Sequence, residues 1–167
     1  MEASKSIEII KGAILLEHKG KSFYESVART TPSAPVREIF SSMAMEEEKH
    51  IDILMKQYLN LKEEGKLKPE ILPKNPLNFA DRIITEKVKE EISGAGYEAA
   101  AVSAAIALEQ QAVAFYSTRA QEVQDPVEKE LFSWLAEWEK GHYDLLIAID
   151  NELKEKIWFD QKFWPVI

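Results

Sequence analysis

The chain has no cysteine, so it can form neither a disulfide nor a thiolate metal site, and thiol catalysis is excluded. It also has no run of eighteen apolar residues, and its start, MEASKSIEIIKG, lacks the basic-then-apolar pattern of a secretory signal. These absences lead us to expect a cytoplasmic protein. Positive charge is short: 21 Lys and Arg stand against 29 Asp and Glu, a formal net charge of -8. No basic patch is evident, so nucleic acid is not an expected partner, and neither is a membrane. Glycine and proline are few, and the prolines cluster, with three between residues 65 and 78 (GKLKPEILPKNPLN). Long uninterrupted helices are what remains.

Four helical patterns stand out, grouped as two hairpins. The first covers about Ser4 to Arg29, with Ile7, Ile10, Ile14, Tyr24 and Val27 on one face. Ser33, followed by Ala34-Pro35, is a suitable N-cap for the second, which Gly65 ends. The proline-containing stretch then reads as an extended connection, followed by a short amphipathic helix over roughly 79–92. The third long helix spans about Tyr97 to Val123, and Asp125-Pro126 opens a fourth that reaches about Lys156. Short turns make each pair antiparallel. Thirteen or fourteen extended residues reach roughly 45 Å, enough to carry the chain back along the bundle. The expected fold is all-α: a ferritin-like four-helix bundle with one long crossover, a short crossover helix and an irregular C-terminal tail. A single domain over 1–167 is expected, made of hairpin 4–64, crossover 65–96, hairpin 97–156 and an aromatic tail over 157–167.

The helical stripe of the second segment contains a puzzle. Val36, Phe40 and Met43 lead to Leu54, Tyr58 and Leu61, and the steps between them land on Glu47 and His50. Burying an unpaired carboxylate and imidazole costs several kcal/mol, comparable with the whole stability of a domain. A shift of 92 residues explains them. Laying 14–54 on 106–146 gives 14 identities in 41 positions, so the hairpins are an internal duplication. Glu17 meets Glu109, Tyr24 meets Tyr116, and Glu47-x-x-His50 meets Glu139-x-x-His142. In each hairpin the two glutamates are 30 residues apart, symmetric about the turn, and so return to the same height. Four carboxylates and two imidazoles would converge in the core. Two divalent metals would neutralise the carboxylates, and Glu with Glu-x-x-His is the ligand pattern of di-iron and di-manganese bundles.

Over roughly residues 4 to 153 the sequence therefore resembles a ferritin-like di-iron carboxylate protein, nearest the rubrerythrin branch. The resemblance implies six metal ligands, Glu17, Glu47, His50, Glu109, Glu139 and His142, holding two iron ions for which manganese or zinc could substitute. It implies a non-haem di-iron oxidoreductase that reduces peroxide or dioxygen in protection against oxidative stress. The alternatives are a ferroxidase for iron handling, a di-iron oxygenase and a non-catalytic metal-binding module. Two features depart from the rubrerythrin pattern. Ala112 stands where those proteins place a further glutamate, and there is no rubredoxin module, so a separate electron-donor protein is expected.

Other residues carry weaker expectations. Tyr24 and Tyr116 follow Glu17 and Glu109 by two turns on the same face; they would bond ligand carboxylates, carry an electron or simply pack. Gly20 and Ala112 are small and would leave room for an oxidant. Glu46 and Glu48 read as solvated, although Glu46, next to a ligand, could instead flank a histidine. Trp158, Phe159, Phe163 and Trp164 either seal the bundle end or form the interface of a homodimer or higher homo-oligomer.

Overall fold

The computed structural model describes residues 2–69, 72–73 and 96–160. Every element among them is a helix: α1 (Glu2–Thr30), α2 (Ala34–Glu64), α3 (Tyr97–Glu122) and α4 (Pro126–Asp160). The expected crossover helix and residues 161–167 of the expected tail lie outside the described residues. One boundary is corrected: residues 157–160, expected as irregular tail, continue α4. No glycine or proline interrupts the chain there before Pro165, so nothing in the sequence stops the helix at Lys156.

The caps are local chemistry. Ser33 Oγ accepts from Val36 N at the start of α2, with Pro35 in the first turn, where its missing N–H costs nothing. Asp125 Oδ1 accepts from Val127 N and Glu128 N, both at 2.9 Å, and so starts α4. Gly65 ends α2 with φ of 73°, its N–H bonding Leu61 O at 3.0 Å. An added Cβ there would meet no atom within 4 Å, so the cost of a side chain is backbone strain alone. Gly65→Ala should lower stability by about 1 kcal/mol, read as a shift in the urea midpoint at unchanged slope.

α1 packs along α2, and α3 along α4, while α1 also touches α3. One end of the bundle gathers Lys5 and Ser6 of α1, Leu61 of α2, Arg119 of α3 and Glu128 of α4. The start of α1 thus lies beside the end of α2, the end of α3 and the start of α4. That makes α2 and α3 parallel, as a long crossover requires. Gln57 fastens the start of the crossover to α2, donating to Lys68 O at 2.9 Å and accepting from Lys68 N at 3.0 Å. Further on, Trp134 Nε1 donates to Pro73 O at 2.7 Å.

The core is divided. One apolar cluster, including Val27, Val36, Phe40, Met43, Val102, Leu145 and Ile149, fills the end at the α1–α2 turn. The other, including Ile10, Leu54, Leu61, Phe132 and Leu135, fills the opposite end. Between them lies a polar layer.

Candidate metal centre

The layer between the two cores consists of the six residues singled out by the repeat. Glu17 comes from α1, Glu47 and His50 from α2, Glu109 from α3, Glu139 and His142 from α4, and none is more than 3% exposed. The i, i+3 spacing puts each histidine one turn beyond its helix's glutamate, on the same face. His50 Nδ1 lies 3.1 Å from Glu17 Oε2, 3.3 Å from Glu47 Oε2 and 2.9 Å from Glu139 Oε1. His142 Nδ1 lies 3.5 Å from Glu109 Oε1, 3.3 Å from Glu139 Oε2 and 3.6 Å from Glu47 Oε1. Glu47 and Glu139 therefore present one oxygen to each histidine, whereas Glu17 and Glu109 serve one side each. The result is two overlapping four-residue groups, Glu17–Glu47–His50–Glu139 and Glu47–Glu109–Glu139–His142.

The donor set fits a pair of cations. Glu139 Oε1 is buried and makes no hydrogen bond among the described residues, although His50 Nδ1 is 2.9 Å away. That oxygen is thus aimed at a point shared with the other ligand atoms rather than at a hydrogen-bond donor. All the ligand atoms in each group lie within 4.8 Å of one another, and oxygen with imidazole nitrogen suits iron, manganese or zinc.

Without metal, protons must hold the cluster together. Burial pushes the Glu17 carboxyl well up, helped by the charges of Glu139 and Glu47. Burial and the Glu139 charge likewise raise Glu109 to about 8. Burial works against charge on Glu47, but hydrogen bonds from Glu17, His142 and His50 outweigh it and hold that carboxylate ionised. Glu139 is also lowered: burial and the Glu47 charge oppose ionisation, and the histidines outweigh them. Burial also opposes charge on His50, yet the Glu139 charge and three carboxylate contacts keep it protonated. His142 follows the same pattern, with Glu109 its main partner. The metal-free site is thus two imidazolium cations against two carboxylates, with two neutral acids.

Tyr24 donates to Glu109 Oε1, and Tyr116 donates to Glu17 Oε1. Each phenol holds the carboxyl of the other hairpin, not of its own helix. Burial, then the facing carboxylate, pushes both phenols well up, so they remain donors. Gly20 and Ala112 line a recess of about 10 Å³ with Leu16, Glu17, Tyr24, Glu47, Leu108, Glu109 and Glu139.

Three residues near the site differ from expectation or were not anticipated. Glu46, read as solvated, is only 9% exposed, with Lys49 Nζ 2.8 Å from its Oε1. Trp134 and Trp138 both stand edge-on to His50, with ring centroids 5.4 Å away. The repeat itself held the signal, because it pairs Glu46 with Trp138, an apolar residue that must be covered.

The rubrerythrin family model matches residues 8–149, most of the chain. The chain belongs to the rubrerythrin family. A hypothetical protein from Pyrococcus furiosus is similar in structure and 25% identical, with a TM-score of 0.64 over 89% of this chain and 90% of that one. Comparison with curated proteins gives no match. Rubrerythrin-type domains are ferritin-like di-iron domains, and the buried cluster is one that could hold such a pair. No described helix is long and apolar enough to cross a membrane.

Proposed function

We propose that Glu17, Glu47, His50, Glu109, Glu139 and His142 hold two iron ions and that the protein reduces peroxide or dioxygen. The observation that carries this reading is the double reach of Glu47 and Glu139, each offering one oxygen to either histidine. When bound, the iron pair supplies electrons and Lewis acidity for cleaving the O–O bond. The chain supplies the rest. Tyr116 and Tyr24 fix the orientation of Glu17 and Glu109, and the apolar clusters on both sides keep bulk water from the layer.

The recess at Gly20 and Ala112 sets the size of what can approach. At about 10 Å³ and partly open to solvent, it favours small ligands such as peroxide, dioxygen or azide over a bulky organic substrate. This disfavours an oxygenase. The electrons come from outside these 167 residues, which contain no cysteine to build a thiolate iron site.

Ala112→Val would fill the recess without touching a charged group. Bound iron should stay at the wild-type level, while azide should no longer change the optical spectrum of the oxidised protein. An undiminished azide response would place access elsewhere. The function itself is tested with anaerobically iron-loaded protein, given peroxide and an excess of reductant. Peroxide should be consumed in proportion to reductant, with iron staying at the two ions the cluster accommodates. Iron accumulating beyond that, with little peroxide consumed, would make the protein a ferroxidase.

A further inference from the structure

The duplication makes the two halves of the site alike in ligands but unlike in surroundings. Trp134 corresponds to Ser42 and Trp138 to Glu46, so the two indoles beside His50 have no aromatic counterpart at the repeated positions. His50 turns Nδ1 toward Glu17, Glu47 and Glu139. Its other nitrogen, Nε2, is buried and has no hydrogen-bond partner among the described residues. A metal-bound histidine ordinarily gives that second N–H to a carboxylate or carbonyl. Here the ring stands perpendicular to two indoles instead, at interplanar angles of 82° and 87°. The indoles are themselves in contact, with centroids 5.0 Å apart. Trp138 is buried, whereas Trp134 is partly exposed and tied through its Nε1 to Pro73 O. A continuous series of ring contacts therefore runs from a candidate metal ligand to the surface of α4.

The other half has no such path at the matching positions. Ser42 has no π system, and Glu46 spends one oxygen on Lys49 while the other is buried without a hydrogen bond. Among the described residues, the recess beside the ligands is about 10 Å³, too small to admit a redox protein.

We infer that Trp138 and Trp134 form the electron path between a one-electron donor at the surface and the metal held by His50. The inference rests on the metal reading above. Peroxide takes up two electrons and two protons, its O–O bond breaks and two waters result. Each electron leaves a donor that is oxidised by one unit, crosses Trp134 and Trp138, and reduces the centre through His50. The donor class is a one-electron reductant too large for the recess, such as a reduced redox protein.

The test uses the full-length, iron-loaded chain, oxidised chemically and then mixed with reduced methyl viologen while re-reduction is followed optically. Trp138→Phe and Trp134→Leu should each slow re-reduction about tenfold at unchanged iron content. Trp134 is partly exposed, so its variant decides the matter even if Trp138→Phe folds poorly. In a second arm, excess peroxide is added without a donor and the four tryptophans are mapped by mass spectrometry. Oxygen addition should concentrate at Trp134 and Trp138 in iron-loaded protein and be absent in zinc-loaded protein. Wild-type re-reduction rates in both variants would overturn the path while leaving the metal site standing. A wild-type chain that retains no metal would overturn both. Because the centre is oxidised chemically in the first arm, a failure to turn over peroxide counts against the proposed function and not against the path.

Discussion

Metal-free protein should lose stability as the pH rises from 4.5 through about 8, and two divalent ions should restore it while releasing about four protons. The sign follows from the four raised groups. Glu17 and Glu109 keep protons in the folded chain that the unfolded chain gives up above 4.5, so folding weakens as the pH climbs through their folded values. His50 and His142 act in the same direction. Their stabilising charge is complete below 6.5 and is lost as the pH passes their raised folded values. Glu47 and Glu139 set the acid limit, since the stability they contribute is lost as the pH falls below 4.5 through their lowered values. The optimum of the metal-free protein is therefore mildly acidic, and the loss toward alkaline pH amounts to several kcal/mol. Two metal ions displace two imidazolium protons and two carboxyl protons, which is the origin of the count of four. At a thousandfold excess over its dissociation constant each ion adds about 4 kcal/mol. Melting curves with metal and with chelator from pH 5 to 9, together with titration calorimetry in buffers of different ionisation enthalpy, read both quantities. A melting temperature indifferent to metal, or binding without proton release, would contradict the assignment of the cluster.

Glutamine substitutions should separate the two kinds of carboxylate. Glu17 and Glu109 are neutral acids in the metal-free chain, so Glu17→Gln and Glu109→Gln change little there and even relieve the alkaline loss. Glu47 and Glu139 are the anions that balance the histidines, so Glu47→Gln or Glu139→Gln strands a buried cation at a cost of about 3–5 kcal/mol. The metal effects run in parallel. Each terminal variant weakens one ion, at the His50 side for Glu17 and at the His142 side for Glu109. Each of the other two leaves a neutral amide with a single oxygen where a carboxylate had offered one to either side, and should lower iron content below one ion per chain. Urea denaturation of the metal-free variants at pH 6 and iron analysis after loading measure the contrast. Equal stability losses in all four variants would show that the carboxylates are not divided in this way.

How much of this was legible beforehand depends on whether the controlling interaction is local or is repeated. Ser33, Gly65 and Asp125 mark helix ends through contacts within a few residues, so the sequence shows them directly. The six clustered residues were legible because the duplication presents the pattern twice, with equal spacing on helices of known rise. The tyrosines were legible as residues facing the site but not as crossed partners. Seven residues is about 10 Å along a helix, too far for Tyr24 to return to Glu17. Because α1 and α3 run antiparallel and touch, Tyr24 meets Glu109 and Tyr116 meets Glu17. That pairing depends on which helices become neighbours, which periodicity does not encode. Glu46 misled because charge suggested water, whereas it is only 9% exposed, with Lys49 on one of its oxygens. The end of α4 was misplaced for a simpler reason: aromatic composition was read as irregularity, although nothing before Pro165 breaks a helix.

The central claim is that the buried layer holds a pair of metal ions with Glu47 and Glu139 between them. Anomalous diffraction at the iron edge from crystals of the iron-loaded protein tests it most directly. Two peaks should lie between Glu47 and Glu139, about 3.5–4 Å apart, one beside Glu17 and His50 and the other beside Glu109 and His142. A layer without anomalous density, or a single ion bound outside these six side chains, would contradict it.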